Sequence, residues 1–220
     1  NDVLDKNTLC TLSCENFKLI ALRSAGFNNV DLKEASRLGL TVVRVPAYSP
    51  YSVAEHAVGL LLSLNRKLHK AYSRVRELNF SLKGLVGFDL HGKTVGVIGT
   101  GKIGSAFVRI MNGFGCKILA YDINPNKELE TSGLVKYVEL DSLLRNSDVI
   151  SLHIPLVSET HHIIDKKALE MMKSEVVLVN TSRGALINSA DLIDSLKAEK
   201  IGGAALDVYE EEEDVFFHDL

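Results

Sequence analysis

The stretch that decides the fold is TVGVIGTGKIG, residues 94–104. It begins as a short apolar run rich in β-branched residues and ends in a G-x-G-x-x-G turn. A helical pattern follows from Ile103 to about Phe114, and the next apolar run, 117–121, ends at Asp122. Dinucleotide-binding domains use this order of strand, glycine turn, helix, strand and carboxylate. The stretch therefore predicts a dinucleotide site rather than an incidental glycine turn.

Each glycine of the turn has its own expected task. Gly99 permits the tight turn, Gly101 leaves room for a pyrophosphate, and Gly104 lets helix and strand pack closely. The pyrophosphate would accept hydrogen bonds from backbone N–H groups at the helix N-terminus. A carboxylate at Asp122 accepts hydrogen bonds from ribose hydroxyls and repels a 2′-phosphate, so we predict NAD rather than NADP as the cofactor.

The rest of the chain alternates short apolar runs with helical patterns. After the glycine turn, we expect further strands at 135–138, 148–153, 176–180 and 203–208, with helices at 140–145, 166–172 and 189–199. Before it, we expect strands at 17–23 and 41–45, a helix at 28–38 and one long helix from about Ser52 to Glu77. The predicted fold class is α/β, with a Rossmann-like doubly wound parallel sheet of six strands.

Composition and charge narrow the range of partners. The 220 residues are 46% hydrophobic, with a net charge of −3, which indicates neither a nucleic acid nor an anionic membrane as partner. The longest apolar stretch, 53–64, is shorter than the ~20 residues of a membrane span. Cys10, Cys14 and Cys116 do not form a disulfide framework, which predicts a cytoplasmic protein. The spacing of Cys10 and Cys14 would suit metal ligands, but no nearby His or Cys completes such a site, so no metal is expected.

Polar residues lie at the ends of three of the predicted strands or directly after them, at His153, Thr181–Gly184 and Asp207. Because parallel strands end at one edge of a sheet, these residues should face the same crevice as the glycine turn. Arg183 could pair with a substrate carboxylate and polarise an adjacent carbonyl, or it could pair with a structural carboxylate. The acidic run 207–214 is mostly typical of a solvated loop. One of its carboxylates could hold a histidine protonated, and the residues alone do not decide which.

Four segments, in this order, resemble the D-2-hydroxyacid dehydrogenase family: VGVIGTGKIG (95–104), SLHIPL (151–156), VNTSRGALI (179–187) and AALDVYEEEED (204–214). Further segments, among them RSAGFNNVD, VPAYSPYSVAEHAVGLLLSLNRK and the DVFFHDL end, are similar to the bacterial D-lactate dehydrogenases of that family. The resemblance covers essentially the whole chain. It implies that residues 1–49 are part of a second, flavodoxin-like α/β substrate domain. Residues 50–220 would be the NAD-binding domain, including the long linking helix and lacking the last strand.

The resemblance also implies roles for individual residues. Arg183 and Glu212 match the catalytic arginine and glutamate. The implied substrate contacts are Ala25, Gly26, Tyr48 and Arg183. The implied cofactor contacts are Gly99, Gly101, Lys102, Ile103, Gly104, Asp122, Ile154, Pro155, Thr160, Thr181, Ser182, Arg183 and Asp207. The family's proton-donating histidine would follow Leu220, so we expect a piece of a longer protein that is poorly active by itself.

The implied reaction is the reduction of pyruvate to D-lactate by NADH, in a homodimer or larger homo-oligomer. One alternative is another dehydrogenase of the family that acts on a larger 2-ketoacid. A second, from a different class, is an NADH-sensing corepressor that binds peptide motifs.

Overall fold

The structure is a computed structural model, and it describes residues 3–24, 26–27, 29–46 and 49–210. The chain divides into two compact units, Asn1–Ser49 and Pro50–Leu220. Within the described ranges, every helix is too short or too polar to span a lipid bilayer.

The first unit is small. Its elements are α1 (Lys6–Cys14), β1 (Leu19–Ala21), α2 (Leu32–Arg37) and β2 (Thr41–Val43). The two strands pair in parallel, and a small core of Leu9, Ala35 and Leu40 lies among the elements. The side chain of Asp5 accepts a hydrogen bond from the backbone N–H of Thr8 and begins α1, a common helix cap. The strands are shorter than the sequence predicts, and α1 was not predicted.

The second unit carries the main sheet. Its helices are α3 (Pro50–Asn65), α4 (Leu68–Arg76), α5 (Lys102–Gly113), α6 (Lys127–Thr131), α7 (Leu140–Asn146), α8 (Lys166–Met171) and α9 (Ser189–Lys197). Its strands are β3 (Thr94–Ile98), β4 (Lys117–Tyr121), β5 (Lys136–Tyr137), β6 (Val149–Leu152), β7 (Val177–Asn180) and β8 (Gly203–Leu206). The six strands pair in parallel in the order β5-β4-β3-β6-β7-β8. This is the doubly wound order of dinucleotide-binding sheets, and it confirms the predicted fold class.

Both faces of the sheet are covered, which explains why its central strands are almost entirely apolar. All four residues of β6 and of β7 are buried. Val149, Val177 and Val179 face the core packed by α3 and α5, whereas Ile150 and Leu178 face the core packed by α7, α8 and α9. Successive strand residues alternate between faces, so a strand buried on both sides needs an almost unbroken apolar run.

The strands end in register, and this positions the site. Tyr121 pairs with Ile98, Ile98 with Leu152, Leu152 with Asn180, and Asn180 with Leu206. These five residues form one row across the sheet. The next residue along each of the five strands therefore follows at the same edge, where the sequence predicted the crevice.

The prediction of one long helix from Ser52 to Glu77 is wrong, because the structure has two helices in this stretch. α3 ends at Asn65, Lys67 has a left-handed backbone (φ 55°), and α4 begins at Leu68. The buried side chain of Asn65 donates to the carbonyl of Phe88 and accepts from its N–H, both at 2.8 Å. An uninterrupted apolar periodicity concealed the break, because neither Arg66 nor Lys67 is a helix-breaking residue.

Candidate functional site

The glycine turn joins β3, α5 and the end of β6 with no side chain between them. Gly99 has φ +95°, and a Cβ built there would lie 2.5 Å from the carbonyl oxygen of His153. A Cβ on Gly104 would overlap the carbonyl of Gly99. Any larger residue at either position would push the helix or β6 away from the turn. Gly104 therefore has the close packing that was predicted for it, and the positive φ of Gly99 fits the tight turn that was predicted there.

Gly101 lies in a different environment. A Cβ built there would meet nothing within 4 Å, although Gly101 directly precedes the first residue of α5. A cavity of about 460 Å³ opens at this point, lined in part by Thr100, Gly101 and exposed Lys102. The next residue, Ile103, is half-buried and packs on the core below. Open space in front of a helix N-terminus fits a pyrophosphate group.

Asp122 follows β4, beside the glycine turn. Its Oδ2 accepts hydrogen bonds from the backbone N–H of Thr100 at 2.6 Å and from its hydroxyl at 2.9 Å. Its Oδ1 accepts one hydrogen bond, from the N–H of Asn124 at 2.8 Å. The carboxylate that the sequence assigned to the ribose is therefore tied to the turn that would hold the pyrophosphate.

A buried asparagine shapes the end of β7. The side chain of Asn180 donates to the carbonyl of Arg183 and accepts from the N–H of Ser182. The Ser182 hydroxyl donates to the carbonyl of Leu152, which links β7 to β6. Thr181 Oγ1 is buried and has no hydrogen-bond partner among the described residues, so this hydroxyl fits a polar ligand group.

Arg183 is exposed at the same edge. Its Nη1 donates to the carbonyl of Ser182 at 2.7 Å. Over the described part of the chain, no carboxylate forms an ion pair with it. The alternative, in which Arg183 pairs with a structural carboxylate, is therefore not supported by the described residues.

The loop after β6 contains three further predicted cofactor contacts. Ile154 is half-buried and packs on the core beneath it. The Thr160 hydroxyl donates to the carbonyl of Pro155 at 2.7 Å and accepts from the N–H of Val157 at 2.9 Å. Thr160 thus closes its own loop, a task that the sequence analysis did not foresee.

Asp207 follows β8 and has a partner that the sequence did not reveal. Its Oδ1 lies 3.0 Å from Nε2 of His56 on α3, and both side chains are about half exposed. The two residues are far apart in sequence, and no local pattern signals the pair.

The predicted substrate contact Gly26 lies in the first unit, where its carbonyl accepts a hydrogen bond from the Ser24 hydroxyl at 2.7 Å. Three other predicted residues, Ala25, Tyr48 and Glu212, lie outside the described residues.

A second histidine–carboxylate pair holds the chain after Asp207. The side chains of His162 and Glu210 form a short contact, and the N–H of Ser189 donates to Glu210 Oε2 at 2.9 Å. Burial raises the pKa of the Glu210 carboxyl, but the hydrogen bonds from Ser189 and His162 outweigh it, and the net pKa is below the usual value. A Cβ on Gly184 would overlap the carbonyl of Tyr209. The chain entering the acidic run is therefore packed against the residue that follows Arg183.

His153 links the end of β6 to α5. Its Nε2 lies 2.9 Å from the Ser151 hydroxyl, and its ring packs on Phe107 with 4.9 Å between ring centroids. Its Nδ1 is buried without a hydrogen-bond partner among the described residues. Burial lowers the pKa of His153 to about 3, because the charged imidazolium is poorly solvated there.

This lowered pKa predicts a pH-dependent stability. Because the pKa of His153 falls from 6.5 in the unfolded chain to about 3 in the folded one, the unfolded state binds more protons between these values. The titration of His153 therefore does not affect the free energy of unfolding above pH 6.5. Between pH 6.5 and about 3 it lowers that free energy as the pH falls, by about 1.4 kcal/mol per pH unit. Urea unfolding of ligand-free protein should show this slope disappearing in His153→Gln. The matched control, His69→Gln on exposed α4, should keep it, and an unchanged slope in His153→Gln would contradict the assignment.

Comparisons with known proteins agree with this geometry. The family model described as "D-isomer specific 2-hydroxyacid dehydrogenase, NAD binding domain" matches residues 58–219. The chain is 55% identical to a D-lactate dehydrogenase of Escherichia coli, over all of this chain and 66% of that protein. A structure described as the pyruvate reductase of Chlamydomonas reinhardtii superposes with a TM-score of 0.89, at 51% identity over 98% of this chain and 64% of that one.

A D-lactate dehydrogenase from Aquifex aeolicus, complexed with NAD and lactic acid, superposes with a TM-score of 0.90, at 40% identity over 98% of this chain and 64% of that one. The chain thus spans about two thirds of the length of these relatives. The glycine turn, the strand order and these matches lead to one conclusion: the chain belongs to the D-isomer specific 2-hydroxyacid dehydrogenase family and carries its NAD-binding domain.

Proposed function

We propose that the complete protein reduces pyruvate to D-lactate with NADH. The observation that carries this proposal is the exposed guanidinium of Arg183 at the strand-end edge of an NAD-binding sheet. Arg183 follows β7, two places from β3 in the strand order, and has no ion pair with a described carboxylate. A planar guanidinium binds a carboxylate with two parallel hydrogen bonds, and pyruvate presents a carboxylate next to the carbonyl to be reduced.

Each residue then has a defined role. Bound NADH supplies the hydride. Arg183 holds the substrate carboxylate and polarises the neighbouring carbonyl, which favours charge on the developing alkoxide. Glu212 keeps a histidine protonated, and that histidine, placed by the family resemblance after Leu220, donates the proton to the alkoxide oxygen.

The cofactor is proposed to lie along the row of strand ends. The N–H groups at the start of α5, with Lys102 and Ile103, hold the pyrophosphate, and Asp122 accepts from the ribose. Ile154, Pro155 and Thr160 lie on one side of the crevice. Thr181, Ser182 and Asp207 lie towards the nicotinamide. The unpartnered Thr181 hydroxyl and the open space at Gly101 support this placement.

The first unit is proposed to be part of the substrate domain, with the loop at Ala25–Gly26 and Tyr48 contacting the substrate. Three free cysteines, Cys10, Cys14 and Cys116, support a cytoplasmic location. The similarity to proteins named D-lactate dehydrogenase and pyruvate reductase supports pyruvate over a larger 2-ketoacid. We find no observation that favours a corepressor.

A homodimer is the proposed assembly. No residue of α4 is buried, and the segment after it exposes a run of apolar side chains: Leu78 at 79%, Phe80 at 72%, Leu82 at 78% and Val86 at 86%. Several large apolar side chains exposed within one short segment are typical of a protein–protein interface. We call residues 68–86 the exposed arm.

The open space at Gly101 and the close packing at Gly104 predict opposite effects of an added methyl group on NADH binding and on stability. Gly101→Ala should leave the thermal midpoint unchanged, because there is space for the methyl group, but should weaken NADH binding by about tenfold or more, because the methyl group projects towards the pyrophosphate. Gly104→Ala should instead lower the free energy of unfolding by about 2 kcal/mol or more through overpacking. NADH fluorescence titration and calorimetry measure both quantities. An unchanged Kd of NADH in Gly101→Ala would contradict the placement of the pyrophosphate, and equal losses of stability in the two variants would contradict the difference in packing.

The proposed substrate predicts a preference in the complete protein. The kcat/KM for pyruvate should exceed that for 2-ketoisocaproate, and Arg183→Lys should lower it by about 100-fold, because an ammonium group cannot form two parallel hydrogen bonds. The Kd of NADH without substrate should change far less than kcat/KM in Arg183→Lys, because lysine keeps the positive charge at this edge of the sheet. Lys173→Arg, at the opposite end of β7, serves as the control. A preference for the bulkier ketoacid would reject pyruvate as the substrate.

The proposed assembly predicts a dimer that depends on the exposed arm. Light scattering after size exclusion should give twice the mass of one chain for the wild-type protein. The double variant Phe80→Asp/Leu82→Asp should give the mass of one chain, because the contact would bury carboxylates without partners of opposite charge. Phe17→Asp makes the same change from an exposed apolar side chain to a charged one, but in the first unit, and this variant should remain dimeric. A monomeric wild type would contradict the proposal.

A further inference from the structure

The carboxylate proposed to contact the ribose lies at the end of a chain of hydroxyl groups. The Tyr137 hydroxyl donates to Thr100 Oγ1 at 2.8 Å, and the Thr100 hydroxyl donates to Asp122 Oδ2 at 2.9 Å. The N–H of Asn126 donates to the Tyr137 oxygen, also at 2.8 Å. Each hydroxyl has one proton to donate, and here every proton points towards the carboxylate. Successive hydrogen bonds in one direction polarise and strengthen one another.

A second set of bonds closes the network into a ring. The Ser105 hydroxyl donates to the carbonyl of Thr100 at 2.8 Å, and the side chain of Asn126 donates to Ser105 Oγ at 3.1 Å. The Asn126 side-chain oxygen accepts from the first N–H groups of α6. The ring therefore connects the glycine turn, the segment after β4 and the end of β5.

This network leaves Asp122 with little freedom. Its Oδ2 accepts two hydrogen bonds, both from Thr100, and a carboxylate oxygen has two lone pairs. Its Oδ1 accepts one, from Asn124, and keeps one lone pair for a ligand. Thr100 itself is 3% exposed, so solvent cannot easily replace its hydroxyl. A carboxylate held in this way cannot turn aside to admit a second negative charge.

We propose that Tyr137 and Thr100 are positioning residues that set the choice of NAD over NADP, by holding the Asp122 carboxylate where a 2′-phosphate would have to lie. This proposal rests on the assignment of Asp122 to the ribose. Neither residue is required to touch the cofactor through its side chain. Both act through Asp122, and the hydroxyl groups are the parts that matter.

The test uses the complete protein and measures the Kd of NADH and of NADPH by fluorescence titration without substrate. Thr100→Val and Tyr137→Phe remove one hydroxyl each with little change of shape. Thr100→Ser keeps the hydroxyl, and Tyr72→Phe on exposed α4 is the matched tyrosine control. Thermal midpoints show that each variant is folded. Because no turnover is measured, failure of the pyruvate assignment would leave these measurements unaffected.

We expect Thr100→Val to weaken NADH binding by about tenfold and Tyr137→Phe by about threefold, as for lost hydrogen bonds on a path to a charged group. In both variants, the ratio of the NADPH Kd to the NADH Kd should fall by about threefold or more, since the carboxylate can then turn away. Thr100→Ser and Tyr72→Phe should keep the wild-type ratio.

A double-mutant cycle separates positioning from general stability. In an Asp122→Ala background, Thr100→Val and Tyr137→Phe should no longer change the ratio, because there is no carboxylate to position. A ratio unchanged by both single variants would overturn the proposal. A change that persists in the Asp122→Ala background would also overturn it, since the hydroxyl groups would then act by another route.

Discussion

The close approach of three backbone segments at Gly99 is the constraint on which the rest of the site depends. β3 turns at Gly99, the first turn of α5 lies against the Gly99 carbonyl, and the carbonyl of His153 at the end of β6 lies where a Cβ on Gly99 would be. No side chain fits between these segments. The start of α5 is therefore fixed relative to both central strands, and its free N–H groups open onto the space in front of Gly101.

Register across the sheet extends this arrangement to the other strands. Because Tyr121, Ile98, Leu152, Asn180 and Leu206 form one row, the residues after them are brought to one edge although they come from distant parts of the chain. Side chains then fix the loops that leave the edge. Asn180 holds the turn before Arg183, Thr160 closes the loop after β6, and Glu210 is tied to the start of α9. Specific hydrogen bonds therefore help to shape these loops.

The sequence predicted the main sheet well, and for a definite reason. Strands buried on both faces are apolar at almost every position, and helices that cover them are apolar on one face, so the two patterns differ clearly. The errors lie where this contrast is weak. The break between α3 and α4 lies where Asn65 pairs with Phe88, a long-range contact that no local pattern reveals. Helix α1 buries only Leu9, so its apolar periodicity is faint.

The sequence alone indicated the fold class, the cofactor and the family of this protein. The glycine turn, with the strand, helix and carboxylate around it, indicated the first two, because such a turn needs specific residues at fixed spacing. The family came from the combined resemblance of four segments along the chain. Only the tertiary structure decided the partners of those residues. Two examples join residues from separate strands and helices. One is the hydrogen-bonded ring next to Asp122, formed by Tyr137, Thr100, Ser105 and Asn126. The other is the pair of His56 with Asp207. A hydrogen bond between distant residues depends on where the folded backbone places two side chains, and neither residue carries a local mark of its partner.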